Sequence, residues 1–242
     1  MLRQIANDLW VAEQPFTYLG LGVGNRMTVI RLQSGELAVI SPIKLSDALK
    51  NQIDGLGKVG HIIAPNLFHY LFASDCKAAY PDAIFWAVPG LQAKQPTLPI
   101  DKVIEGESGC LFNELDYASF RGFKTLVPSG VANLGEYAFF HRGSSTLVLT
   151  DTAFHFDRQF PGPIRLAAWV LGSYDQVGPS WLERLASRDK ALLRQSVKKI
   201  LSWDFRRVIV AHGSMVNTNA RQRLIAGYAW FLEKAPSDNL SQ

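Results

Sequence analysis

Between Leu45 and Gly90 the sequence alternates helical and strand patterns, and this alternation constrains the possible fold more than any other feature. The run LSDALKNQIDGLG starts at a serine suited to capping a helix, and its apolar residues recur at helical spacing. VGHIIAP then predicts a strand, LFHYLFASDCKAAYPDA a helix, and IFWAVPG another strand. Strands joined through helices require right-handed crossovers, so this segment predicts an α/β layer.

Strand patterns without intervening helices lie on both sides of this segment. RMTVIRL and ELAVISP flank the turn signal QSG and predict a hairpin, while DLWVAEQ is a candidate edge strand. LDYASFRG, EYAFFHR and TLVLTD predict antiparallel strands of a second sheet, and the last third is helical around FRRVIVAHG. We therefore predict a four-layer αββα sandwich, formed by a single domain over residues 1–235 with a disordered tail at 236–242.

Composition excludes several classes of protein. Hydrophobic residues make up 48% of the 242 residues, enough for a sizeable core, and the net charge of +4 is too mild to predict nucleic-acid binding. The longest apolar run, LAAWVLG, falls far short of the ~20 residues that a membrane-spanning helix needs. Cys76 and Cys110 form no zinc-type pair. These features predict a soluble, cytoplasmic protein with an unknown small-molecule ligand and no membrane partner; they do not predict an oligomeric state.

Three predicted strands end in polar residues, at APNLFHYLF, VLTDTAF and VIVAHGS, and their order and spacing resemble the metallo-β-lactamase-like superfamily. Together with SPI, AYPDAIFWAVPG and EYAFFHRGSSTLVLTD, they resemble an uncharacterised branch of it, a domain of unknown function, over roughly Ile5 to Phe231. The resemblance implies the αββα fold. It also implies that metal ligands follow these strand ends.

Two positions match the superfamily's metal ligands well. Asp151 corresponds to the bridging aspartate of the family, and His212 to the histidine that closes the last strand. The resemblance therefore implies that both side chains belong to the site.

The multi-histidine motif of the family, His-x-His-x-Asp-His, is degenerate in this sequence. In one register Pro65 and Leu67 replace its first two histidines, and His69 and Tyr70 fall on the Asp and the last His. A shift by one residue instead aligns the four positions with Asn66, Phe68, Tyr70 and Leu71.

Other family ligands are also absent. The later loop offers Gly130 or Val131 in place of a histidine, and Ser41-Pro42 replaces an aspartate after the second hairpin strand. The ordinary dinuclear zinc site is therefore not expected.

His69, Asp151 and His212 remain as candidate catalytic residues and candidate ligands of one zinc or iron ion. Two histidines and one carboxylate suit either metal and leave positions open for water and substrate. This set predicts a mononuclear metal-dependent hydrolase of a small ester, thioester or phosphoester. The alternative is a non-catalytic, metal-free binding or interaction module that keeps the fold.

Several neighbouring polar residues have simpler interpretations. We expect Asn66 to cap the helix that carries His69, while lying at the mouth of the site. His155 is expected to be an exposed loop imidazole, although it is a possible extra ligand. Glu136 either holds its loop or faces the pocket, and no chemistry is assigned to it.

Overall fold

The computed structural model describes residues 1–18, 20–127 and 129–232, apart from the side chain of Trp230. The predicted tail at 236–242 lies outside these residues, and the single domain over 1–235 stays a prediction. The described helices are α1 (Asp47–Asp54), α2 (Ala73–Ala79), α3 (Leu91–Lys94), α4 (Gly162–Val170), α5 (Trp181–Ala186), α6 (Lys190–Leu201) and α7 (Ala220–Leu232).

The strands form two main sheets and two small hairpins. The seven-stranded sheet has the order β1-β2-β5-β6-β7-β8-β9, and the five-stranded sheet the order β10-β11-β14-β15-β16. The first eight strands are β1 (Leu2–Ala6), β2 (Leu9–Gln14), β3 (Thr17–Tyr18), β4 (Leu21–Gly22), β5 (Asn25–Arg31), β6 (Leu37–Ile40), β7 (Val59–Ala64) and β8 (Ile84–Ala87). The others are β9 (Lys102–Val103), β10 (Ser108–Leu111), β11 (Leu115–Ser119), β12 (Lys124–Val127), β13 (Gly130–Asn133), β14 (Tyr137–His141), β15 (Thr146–Val148) and β16 (Arg207–Ile209).

Alternate side chains of the five-stranded sheet pack in opposite directions, as the pleat requires. Tyr137 and Phe139 of β14 join the core formed with the seven-stranded sheet, α1 and α2. Ala138 and Phe140 of the same strand join a second core with α6 and α7. Each sheet therefore has helices on its outer face, and the predicted four-layer αββα sandwich is confirmed.

Buried Arg26 of β5 ties the two sheets together. Its Nη2 donates to the carbonyl oxygen of Gly213 at 2.7 Å, and its Nη1 donates to the carbonyl of Val210. Its Nε donates to Glu13 at 2.9 Å. The guanidinium thus links β5 and its neighbour β2 to the segment that follows β16.

The prediction of a helix over LFHYLFASDCKAAYPDA is wrong for its first half, which contains His69. Residues 66–72 form bends and turns, and α2 begins only at Ala73. The predicted edge strand, β2, is also not at the edge, because β1 pairs with it on one side and β5 on the other. Helix α4 and the β12–β13 hairpin were not predicted from the sequence.

Among the described residues, not one helix combines the length and the apolar character required to span a lipid bilayer.

Candidate functional site

The side chains of His69, Asp151 and His212 meet where β7, β15 and β16 end. Asp151 and His212 each lie three residues beyond the end of a strand, and β15 and β16 are parallel neighbours, so the two side chains reach the same sheet edge. His69 arrives from the other sheet, in the turn after β7. The fold therefore brings all three predicted site residues together.

The three donor atoms form a nearly equilateral triangle. The Nε2 atoms of His69 and His212 are 3.3 Å apart, and each is 3.2 Å from Oδ1 of Asp151. The ligands of a tetrahedral ion bound at ~2.1 Å lie about 3.4 Å from one another. The donor set and its spacing thus fit one zinc or iron ion, and the role of these residues as ligands stays a prediction.

The ring of His212 has its orientation and tautomer set by one backbone atom. Its Nδ1 lies 2.5 Å from the carbonyl oxygen of Gly24, which can only accept a hydrogen bond, so Nδ1 carries the proton. The Nε2 atom on the other side of the ring faces Asp151 and His69. The rings of Phe16 and Phe154 stack near the imidazole, with centroids at 5.9 and 6.2 Å.

The ring of His69 is held by Ser41. Its Nδ1 lies 2.7 Å from Oγ of Ser41, at the position where the superfamily has an aspartate. Ser41 itself has a φ of 54°, which is uncommon for a residue with a side chain. When Nδ1 donates to the hydroxyl, the Nε2 lone pair is free for a ligand.

Charge and burial act in opposite directions on the two ionisable groups Asp151 and His69. Burial opposes ionisation of Asp151, but the charges and hydrogen bonds of His69 and His212 outweigh it and hold the pKa of the carboxyl well below its ordinary value. Burial likewise opposes protonation of His69, yet attraction by Asp151 and Glu136 raises the pKa of this imidazole above its ordinary value. The site therefore keeps an anionic carboxylate that faces the Nε2 atoms of two imidazole rings.

Asn66 is fully buried behind the triad and is bonded in two directions. Its Oδ1 accepts hydrogen bonds from the backbone N–H groups of Phe68 and His69, each at 2.7 Å. Its Nδ2 lies 2.8 Å from Oδ2 of Asp151 and 2.9 Å from Oγ1 of Thr150. Asn66 caps a turn rather than the helix expected, and the expectation that it lies at the mouth of the site is wrong.

Glu136, for which no chemical role was predicted from the sequence, anchors the loop that carries Asp151. Its fully buried carboxylate accepts hydrogen bonds from three consecutive backbone N–H groups, those of Thr150, Asp151 and Thr152, at 2.7–3.1 Å. Both threonine hydroxyls donate to it at 2.6 Å. Burial and the nearby charge of Asp151 raise the pKa of Glu136.

The residues at the positions where the superfamily has histidines form hydrogen bonds with other parts of the protein instead. The carbonyl of Pro65 accepts a hydrogen bond from the N–H of Tyr137 at 2.9 Å, and the N–H of Leu67 donates to Leu134 at 3.1 Å. The hydroxyl of Tyr70 accepts one from Gln95 at 2.7 Å. Within the described ranges, His69, Asp151 and His212 form the single cluster able to hold a metal ion.

His155 does not belong to this cluster, and the expectation that it is exposed is wrong. The side chain is buried, with Nδ1 2.9 Å from the carbonyl oxygen of Ser214 and Nε2 2.9 Å from Nη2 of Arg223. Both ring nitrogens are thus engaged away from the triad. His155 is a structural residue of the segment that follows His212.

A large cavity of about 570 Å³ opens beside the triad. Its walls come from the loops and hairpins around β4 and β12, the turn after β7, and the inner face of α4. Apolar side chains dominate these walls, among them Phe16, Phe68, Leu126, Phe154, Phe156 and Leu171. A volume of this size suits a small-molecule ligand.

The amino-acid sequence matches the model of one protein family over residues 6–177, and that family is described as a domain of unknown function, DUF4336. Among curated proteins, no sequence match was found.

Solved structures show similarity of fold at low sequence identity. A metallo-β-lactamase from Erythrobacter litoralis is 12% identical with a TM-score of 0.63, covering 95% of this chain and 96% of its own. One from Pontibacter korlensis is 9% identical with a TM-score of 0.62, covering 97% and 99%. The metal-soaked flavodiiron core of Flv1 from Synechocystis is 14% identical with a TM-score of 0.62, covering 96% and 60%. The chain therefore has the metallo-β-lactamase fold.

Proposed function

Since the chain belongs to the DUF4336 family, whose description names no activity, we propose a function from the site itself: a mononuclear metal-dependent hydrolase of a small ester, thioester or phosphoester. His69, Asp151 and His212 are the proposed ligands. The structural neighbours include metallo-β-lactamases and a metal-soaked flavodiiron core, and this supports a metal at this place in the fold.

One observation carries this proposal. Two imidazole nitrogens and one carboxylate oxygen lie 3.2–3.3 Å from one another, beside a cavity large enough for a substrate. The two histidine Nε2 atoms lie close to each other as well as to the Asp151 carboxylate, and a shared cation stabilises such a convergence of three ligand atoms.

A single ion is proposed because the residues for a second are missing. Proline and leucine stand at two of the expected histidine positions, and Ser41 replaces the expected aspartate. Zinc and iron both suit the donor set. When bound, the ion supplies Lewis acidity, which polarises a substrate carbonyl and acidifies water.

The protein's own residues prepare this chemistry. Gly24 and Ser41 orient the two imidazoles, and Asn66 holds the Asp151 oxygen that does not face them. Such outer contacts keep ligands in a fixed geometry and tune their basicity. The apolar walls of the cavity exclude bulk water, which strengthens electrostatic interactions with a bound substrate.

Metal analysis of protein purified without chelators or an immobilised-metal column tests the proposal. We expect about one equivalent of zinc or iron, together with hydrolysis of model esters or thioesters. Both are lost in Asp151→Ala and in His212→Ala. Asp82→Ala, which removes an exposed aspartate that does not line the cavity, is the matched control and keeps both.

A folded wild-type protein that takes up no zinc or iron on reconstitution, and whose properties do not change in Asp151→Ala or His212→Ala, would exclude this function. It would leave the metal-free binding module as the function of the fold.

A further inference from the structure

Apart from the two histidines of the triad, no described side chain that lines the cavity can carry a positive charge. The described lining includes no lysine and no arginine, and its two carboxyl groups are those of Asp151 and Glu183. Moving an anionic group from water into the part of the cavity away from the triad carries a large desolvation cost with no counter-charge. That part of the lining therefore disfavours ligands that carry a phosphate or a carboxylate.

Glu183 is not an open binding group for a cationic ligand either. Its carboxylate accepts hydrogen bonds from the backbone N–H and hydroxyl of Ser180, in a capping box at the start of α5. Oγ1 of Thr125 in β12 also donates to it, at 3.1 Å. The carboxylate thus joins α5 to the hairpin wall of the cavity and is occupied by that role.

Asn25 is a polar residue of the wall with an unpartnered side-chain atom. The residue is 8% exposed and lines the cavity, and no hydrogen-bond partner exists for its Oδ1 among the described residues. A buried carbonyl oxygen that accepts no hydrogen bond costs stability, so such groups in binding sites commonly have a ligand as their partner.

Asn25 is also close to the reaction centre along the chain. The residue before it, Gly24, supplies the carbonyl oxygen that binds Nδ1 of His212. A group held by Asn25 would therefore lie on the same wall of the cavity as His212. A carboxamide can accept or donate a hydrogen bond without adding charge to the site.

We propose that this cavity binds an uncharged ligand with a hydrophobic body, and that Oδ1 of Asn25 accepts a hydrogen bond from a hydroxyl or N–H group of that ligand. This assignment rests on the proposed function for the identity of the bond cleaved. It narrows the proposed substrates to neutral, largely apolar esters or thioesters that also carry a hydroxyl or N–H group. Asn25 is a substrate-positioning residue, and binding itself requires no metal.

The test uses wild-type protein freed of metal with a chelator and then dialysed, so that its outcome is independent of metal chemistry. The neutral fluorophore N-phenyl-1-naphthylamine is titrated into it, and saturable binding is expected. Ala167→Phe narrows the cavity from α4 and should weaken binding at least about tenfold, because the probe and the ring compete for space. Leu166→Phe is the matched control: the neighbouring side chain is 64% exposed and faces away. Ala167→Leu replaces Ala167→Phe if the latter does not fold.

Competition against the bound fluorophore then tests charge and hydrogen bonding separately. N-hexylacetamide, whose N–H group can donate to Oδ1 of Asn25, should displace it at concentrations at least about tenfold lower than hexyl phosphate, because only the phosphate would bring a charge into the cavity. In Asn25→Leu, displacement by N-hexylacetamide should weaken about fivefold to tenfold, while butylbenzene, which forms no hydrogen bond, is unchanged. Asn25→Ala serves the same purpose if the leucine variant is unstable.

Four results would overturn the inference: no saturable fluorophore binding, equal binding by the Ala167→Phe and Leu166→Phe variants, hexyl phosphate as good a competitor as N-hexylacetamide, or an Asn25→Leu variant unaffected towards N-hexylacetamide. None of them depends on metal content. The cavity assignment and the hydrolase proposal can therefore fail independently.

Discussion

The side-chain amide of Asn66 lies 2.8 Å from Oδ2 of Asp151, and this hydrogen bond crosses from one sheet to the other. Asn66 follows β7 of the seven-stranded sheet, and Asp151 follows β15 of the five-stranded sheet. The same amide accepts the backbone N–H of His69. One buried residue therefore positions candidate ligands that come from different sheets.

Replacing this residue should loosen the site without removing any candidate ligand. Asn66→Leu keeps the volume but leaves several buried groups unpaired, so we expect a loss of about 2–4 kcal/mol in the free energy of unfolding of the metal-free protein. Metal affinity should fall about 10–100-fold, as it does for other outer contacts. Urea unfolding and chelator competition measure the two effects. Asn51→Ala, at an exposed asparagine of α1, should change neither, and an Asn66→Leu variant with wild-type affinity would contradict the role.

Glu136→Gln tests whether the buried carboxylate anchors the Asp151 loop. The amide of glutamine would direct N–H groups at the N–H and hydroxyl donors of residues 150–152, so we expect destabilisation of about 2–4 kcal/mol. Chemical unfolding at neutral pH measures it. The exposed Glu105→Gln is the control, and equal stability of the two variants would show that the hydrogen bonds to Glu136 contribute little.

The pH dependence of stability should include a contribution from His141. Burial lowers the pKa of this imidazole below its ordinary value of 6.5, although Glu114, with Oε2 3.7 Å away, and Asp8 oppose the shift. The unfolded state thus binds more protons just below pH 6.5, and stability is lost as the pH falls below that value.

His141→Gln should make the stability curve flatter in that window, by at most about 1.4 kcal/mol per pH unit. Urea midpoints measured at intervals between pH 7.5 and 5.0 compare the two proteins. Curves of identical slope would exclude His141 as a source of the acid sensitivity.

Gly213, next to His212, should tolerate no side chain. It has a φ of 99°, and a Cβ atom built there would lie 2.0 Å from the carbonyl oxygen of His155. Gly213→Ala must displace the backbone that carries His212, so we expect at least about 3 kcal/mol of destabilisation together with weaker metal binding. Gly162→Ala, where a Cβ meets nothing within 4 Å, should be neutral or slightly stabilising in thermal unfolding. A Gly213→Ala variant with wild-type stability would show that the segment adapts.

Asp151 and His212 were predicted as site residues from the resemblance to the metallo-β-lactamase-like superfamily, and each follows a predicted strand. Because β15 and β16 are parallel neighbours, their carboxyl ends lie at one edge of the sheet and bring the two side chains together. His69 is different. Its orientation depends on Asn66, whose amide is fixed by groups 70–85 residues away in the chain, and helical periodicity carries no information about such contacts.

Glu136 and the cavity escaped prediction for related reasons. A glutamate at the start of a strand is ordinary in sequence, and its importance arises from donors supplied by residues 150–152 after folding. The cavity is lined in part by α4 and the β12–β13 hairpin, whose sequences show weak helix and strand patterns. The lack of lysine and arginine in its described lining becomes visible only when distant segments are assembled.

The two-sheet origin of the candidate ligands has a thermodynamic consequence. An ion bound by His69 together with Asp151 and His212 recognises only the docked arrangement of the sheets, so it acts by mass action on the folding equilibrium. At a free concentration 100 times its dissociation constant, it would add about 2.7 kcal/mol to the free energy of unfolding. Arg26 and Asn66 already bridge the sheets without an ion. The protein would therefore remain folded in metal-poor surroundings, and its melting temperature would report the availability of the metal.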